Sequence, residues 1–222
     1  MTNEALKHAT RYYQIVLIQL KDPPKFAQYI EQMAPIVRRY GGALERALVP
    51  ETVYAQGIFK PDTINVVHYD SREAYKAFNA DPEFQAIEHL RAESIAMAGL
   101  GGLPVGGDVV SGDASERLYV LELARLGPGG IQSYRAYEEQ AEPVMRRFGY
   151  HVERVLAPDA VMGLPFTPDL AKVAYFDGLD GMDRLHKDPA HERIEKELYP
   201  EAVAESIWVV ARAQRASPRA ER

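Results

Sequence analysis

An α+β protein made of two strand, helix, strand, strand, helix, strand units in tandem is the fold this sequence predicts, and three observations carry the prediction. The chain has 222 residues, 46% hydrophobic and 26% charged, enough to bury a sizeable core. A block of the first half returns in the second. Pro35, Arg38-Arg39-Tyr40-Gly41 and Glu45-Arg46 recur 108 residues on as Pro143, Arg146-Arg147-Phe148-Gly149 and Glu153-Arg154; Pro61-Asp62, Asp70 and Asp81-Pro82 recur 107 residues on as Pro168-Asp169, Asp177 and Asp188-Pro189. Between the copies runs a glycine-rich stretch, Gly99 to Gly112, with the composition of a connector. A period near 100 residues marks a duplicated domain, since solenoids repeat every 20–50 or so. The expected division is a first repeat over 1–98, a linker over 99–115, a second repeat over 116–213 and a flexible tail over 214–222.

Each element has a local reason. Tyr12 to Leu20 is β-branched and aromatic and stops at Asp22-Pro23-Pro24, where a helix can start with proline in its first turn. Phe26, Ile30, Met33, Val37 and Tyr40 follow at helical spacing and end at Gly41-Gly42; Tyr134, Tyr137, Ala141, Met145 and Phe148 do the same before Gly149. Strands are expected at Ala43 to Val49 and Ile64 to Tyr69, matched by His151 to Leu156 and Lys172 to Phe176, with Val53 to Phe59 continuing or pairing with them. Asp81-Pro82 and Asp188-Pro189 read as N-cap and first-turn proline of a second helix in each copy. Ser94 to Ala98 and Ser206 to Ala211 close the copies. That order is the ferredoxin-like βαββαβ unit. Its helices cover one sheet face, yet Ile64 and Val66 point opposite to Val67 and Tyr69 and neither set is polar, so the second face must also be buried, sheet against sheet.

Composition excludes several functions. No cysteine means no disulfide, thiolate nucleophile or cysteine-held metal cluster. A net charge of −6 argues against a nucleic-acid surface, and no apolar run approaches membrane-spanning length. A cytoplasmic protein with a small-molecule ligand and no nucleic-acid or membrane partner is expected, either a pseudo-symmetric monomer or a homodimer.

The tyrosine-led first strand, Asp22-Pro23, Tyr40-Gly41-Gly42, Tyr69-Asp70-Ser71 and Asp81-Pro82-Glu83-Phe84 leading to Arg91 resemble the bacterial domain-of-unknown-function 1330 family of dimeric α+β barrels. The second copy departs from that pattern, with Phe148-Gly149-Tyr150, Gly178 and His191 at the corresponding places. The resemblance implies an intramolecular dimeric α+β barrel. It also implies a superfamily that holds cofactor-free monooxygenases, polyketide cyclases, muconolactone-isomerase-like enzymes and haem proteins of the chlorite-dismutase kind.

Candidate site residues follow from the expected lumen. His68 is the candidate general base, and Tyr175, at its counterpart position, the oxyanion donor; aromatic packing is the plain alternative for both. In Glu45-Arg46 and Glu153-Arg154, alternation lets one member of each pair reach the lumen. Arg46 or Arg154 would then clamp an acidic substrate, or the pairs would serve as cross-strand salt bridges. Gln14 and Glu122 interrupt apolar first strands, and Tyr54 with Gln56 sits near a strand end. His186 and His191 lack the spacing of a zinc site, and either could ligate a haem iron. The expected function is a cofactor-independent enzyme acting by proton transfer on a small, partly apolar, enolisable or acidic substrate in the lumen. Its rivals are a non-catalytic binder of a hydrophobic ligand or haem and a structural pseudo-dimer with no site.

Overall fold

A computed structural model describes residues 11–54, 57–108 and 116–214; Gln56 and residues 109–115 and 215–222 lie outside these. Eight strands are present among the described residues: β1 (Tyr12–Leu20), β2 (Ala43–Tyr54), β3 (Thr63–Tyr69), β4 (Ile95–Gly106), β5 (Leu118–Leu126), β6 (Tyr150–Met162), β7 (Leu170–Phe176) and β8 (Val203–Ala213). Seven helices accompany them among the described residues: α1 (Pro23–Arg39), α2 (Arg72–Asn79), α3 (Pro82–Ala86), α4 (Glu88–Ser94), α5 (Gly130–Arg146), α6 (Gly181–Leu185) and α7 (Pro189–Ala202). Asp22, Ser71, Asp81 and Asp188 each cap a helix N-terminus by accepting a backbone N–H.

The expected fold class is corrected here. The strands do not form two ferredoxin-like repeats meeting as separate sheets. They hydrogen-bond into one closed antiparallel barrel in the order β1-β3-β2-β8-β5-β7-β6-β4. The reason is strand length. β2 runs on past Val49 and pairs with β8, while the glycine run expected as a connector is the second half of β4, whose Gly99 to Gly106 pair with β6 from Met162 to Val155. Those pairings occupy every sheet edge with backbone hydrogen bonds, which a flexible linker would have left open.

Alternation along each strand sorts side chains into three layers. Tyr13, Ile15, Leu17, Ile64, Val66, Tyr119, Leu121, Val173, Val209 and their neighbours point inward from all eight strands and pack the barrel interior. Outside the wall, α1 to α4 cover β1 and β3 with a cluster built on Tyr29, Val37, Tyr69, Phe78 and Phe84. On the opposite side, α5 to α7 cover β5 and β7 with a larger one built on Tyr134, Tyr137, Tyr150 and Phe176.

Candidate functional site

The cavity that the structure offers lies outside the barrel wall, between α1 and the outward faces of β1, β3 and β4, with a volume of about 640 Å³. This is the size of pocket that encloses a small organic ligand. Its floor is the sheet, with Gln14, Val16, Asn65 and Val67 half-buried on it. Its roof is α1, with Phe26, Ile30 and Ala34 turned down. Leu44 and Met162 belong to the lining and are 56% and 42% exposed, so the cavity reaches solvent between them.

The same space on the other side of the barrel is filled, and the register shows with what. Val16 stands opposite Asn65 on one neighbour and Gly99 on the other. At the corresponding point of β5, Glu122 stands opposite Lys172 and Trp208. Lys172 Nζ lies 2.8 Å from Glu122 Oε2 and 2.9 Å from Glu138 Oε1, with both strand side chains almost wholly buried. Tyr134 donates to Glu122, and Trp208 Nε1 donates to the Tyr199 hydroxyl. Burial alone would lower the Lys172 ammonium, but Glu122, the surrounding tyrosines and Glu138 outweigh it and hold the group well above the usual lysine value. A lysine, an indole and a carboxylate thus occupy one side, whereas asparagine, glycine and valine leave the other open.

Few polar groups face the open side. Gln14 Nε2 donates to the Tyr75 hydroxyl at 2.9 Å, which leaves the phenolic proton of Tyr75 available. The Tyr75 ring stacks on Tyr12 at 4.7 Å. Tyr12 in turn donates to Asp159 Oδ1 at 2.6 Å, and Asp159 also holds Arg72 at 2.8 Å. Burial first, and Asp159 second, raise the Tyr12 hydroxyl far above the usual phenol value, so it stays a donor. Burial likewise pushes Tyr29, on the cavity wall, up to about 12. The carboxylate of Glu88 in the lining is engaged by Arg91 at 2.6 Å.

Of the residues singled out from sequence, Gln14 alone joins this lining. Glu122 is the buried partner of Lys172. Tyr54 is 54% exposed at the end of β2. The remaining four gather at one end of the barrel interior. His68 sits 6.2 Å from Tyr13, ring to ring, and its Nδ1 lies 3.8 Å from Glu45 Oε2. Tyr175 packs against Tyr119, His151 and Arg117. Arg46 pairs with Glu153 at 2.5 Å and caps the Tyr119 ring; reciprocally, Arg154 pairs with Glu45 at 2.9 Å and caps Tyr13. Both members of each Glu-Arg dipeptide enter this network because the pairing shifts register between Leu44 and Arg46 and between Val152 and Arg154. A bulge breaks the alternation that would have sent them to opposite faces. Tyr75, Asn65, Tyr12 and Asp159 were not singled out from sequence; the one legible signal was Asn65, a lone amide in the apolar run Ile64 to Val67.

Burial, with Arg11, lowers the His68 imidazole, and burial, with His186, lowers that of His191. A folded-state value below the unfolded one, near 6.5, means the unfolded chain takes up protons first as pH falls, so these groups withdraw stability below about pH 6.5. Glu195, raised by burial, acts in the opposite sense as pH falls toward its ordinary range. The urea midpoint is expected to be lower at pH 5.5 than at pH 7.5, and the gap is expected to narrow in His68→Asn.

A haem does not fit at His191. His191 is buried on α7, its Nε2 3.5 Å from Glu195, and the space between α7 and the barrel wall is taken up by the Lys172 network. The open cavity has no histidine among its lining residues.

Residues 11–100 match the family model of a domain of unknown function, DUF1330. No curated protein matches the chain. Among solved structures, an anthrone oxidase-like protein is 15% identical, with 96% of this chain and 94% of that one covered and a TM-score of 0.59. A provisionally assigned monooxygenase from Fusobacterium nucleatum is 7% identical, with 96% of each chain covered and a TM-score of 0.53. A mutant chlorite dismutase from Candidatus Nitrospira defluvii is 10% identical, with 96% and 95% covered and a TM-score of 0.61. At these identities the likeness is one of fold alone. No helix among the described residues is long and apolar enough to cross a membrane.

Proposed function

We propose that the protein binds a small, largely apolar organic molecule bearing a carbonyl or hydroxyl oxygen in the cavity under α1, and that Tyr75 and Asn65 engage that oxygen. The observation that carries this reading is the cavity itself: an apolar enclosure on one side of a barrel whose other side is filled. Tyr75 accepts from Gln14 and stacks on Tyr12, so its hydroxyl is held in place with a proton to give. The Asn65 carboxamide makes no hydrogen bond to a described residue and adds a second donor. Two donors engaging one ligand oxygen would favour the enolate form of an enolisable compound, the shared step of cofactor-free isomerases, cyclases and monooxygenases. The names of the structural neighbours agree with small-molecule chemistry on this fold. A second reading, binding without turnover, is favoured by the Glu88–Arg91 pair, which engages the carboxylate of the lining.

Titration of the full chain with hydroxynaphthyl ketones tests the proposal. Micromolar binding is expected, weakened about tenfold in Tyr75→Phe, the order of one buried hydrogen bond. Binding indifferent to both Tyr75→Phe and Asn65→Leu would remove these residues from the site. Proton exchange at the ketone α-carbon, followed by NMR in deuterated water, separates the enzymatic reading from the binding one.

A further inference from the structure

The wall of this cavity differs in charge from its counterpart across the barrel. Counting back from the shared Arg-Arg-aromatic-Gly ending, Ile30, Ala34 and Arg38 of α1 occupy the places that Glu138, Glu142 and Arg146 occupy on α5. Arg146 is neutralised by Glu142, one turn earlier, at 2.6 Å. Glu138 is engaged by Lys172. On α1 both acids are replaced by apolar residues, and Val16 stands where β5 has Glu122. Three carboxylates are therefore missing from this wall. Arg38, which lines the cavity, is left without the partner that the same position has on α5. The neighbouring Arg39 is engaged by Asp81 and Glu83. The other charges of the lining, Arg91 and Glu88, pair with each other. In a chain of net charge −6, an exposed guanidinium with no partner among the described residues, at the edge of an apolar cavity from which the acids have been removed, selects for a negative ligand group.

We infer that the ligand is an organic acid: an apolar body whose carboxylate is held by Arg38 while its far end lies in the cavity. The inference rests on the proposed cavity site and names its substrate class. The seat of selectivity is the pair of positions 34 and 38. A glutamate at 34 would recreate the neutralised arrangement of α5.

The test is calorimetric titration of the full chain with 6-hydroxy-2-naphthoate and with its methyl ester, which share the apolar body and differ in charge. The acid is expected to bind about tenfold more tightly than the ester, with the preference shrinking as salt is raised. In Arg38→Gln and in Ala34→Glu the acid-to-ester ratio is expected to fall to near one. A ratio near one in the unaltered protein, or a preference that survives both substitutions, overturns the inference while leaving the cavity site standing. Failure of both compounds to bind overturns the inference together with the cavity reading on which it rests. Inorganic phosphate serves as competitor: displacement of the acid at millimolar phosphate, with the ester unaffected, would assign Arg38 to a free anion and overturn the organic-acid assignment.

Discussion

Replacing Lys172 with methionine is expected to cost about 3–5 kcal/mol of stability, because it strands the buried Glu122 carboxylate without its counter-charge. The side chain also donates to Glu138 and to the Tyr134 hydroxyl, at 2.9 Å in each case, so the loss spreads through the layer beneath α5. The double variant Lys172→Met with Glu122→Leu removes both charges and is expected to recover most of that loss, since a well-packed apolar pair commonly equals a buried ion pair. Urea midpoints for the three proteins, at pH 7.5 and one ionic strength, check this. A single variant as stable as the unaltered chain would show that water reaches the pair and that the second side of the barrel is less closed than its packing indicates.

Plugging the open cavity is expected to have the larger functional effect. Ala34 lies in the C-terminal half of α1, half-buried on the cavity roof, and a tryptophan there would place its indole in the space that the ligand needs. Ala34→Trp is expected to weaken binding of 6-hydroxy-2-naphthoate at least a hundredfold, read by calorimetry, while leaving the far-ultraviolet circular dichroism of the barrel in place. Position 34 tolerates the larger side chain because it is roomy, the opposite of a packed core position where added volume costs about 1–3 kcal/mol.

Much of the local structure was legible in the sequence. The caps at Asp22, Asp81 and Asp188, the helical spacing of Phe26 through Tyr40, and the two-faced apolar character of Ile64 to Tyr69 are short-range signals, and the elements they predict are present. Closure of the barrel was not legible. Gly99 to Gly106 has a connector's composition, yet β4 accepts glycine because its neighbours approach closely: a Cβ on Gly99 would meet the Ile15 carbonyl oxygen, and one on Gly102 that of Ala157. Composition reports chain flexibility, whereas the pairing of β4 with β6 is a contact between distant segments.

The site was less legible for a related reason. Strand alternation places His68 and Tyr175 on the inward face, but the interior is filled by side chains from all eight strands. The space lies on the outward face, and it exists because Gly99, Asn65 and Val16 stand where Trp208, Lys172 and Glu122 stand across the barrel. That difference emerges only when register aligns the two walls. The bulges at Glu45 and Glu153 had no sequence signal, and they turned an either-or choice for each Glu-Arg pair into a reciprocal network.

The central claim is that the ligand sits under α1 and not within the barrel. A crystal structure of the chain grown with 6-hydroxy-2-naphthoate tests it most directly. The account predicts the naphthyl ring between α1 and the sheet, its hydroxyl against Tyr75 and Asn65 and its carboxylate on Arg38. A ligand found instead at the barrel end, against His68 and Tyr175, would contradict it.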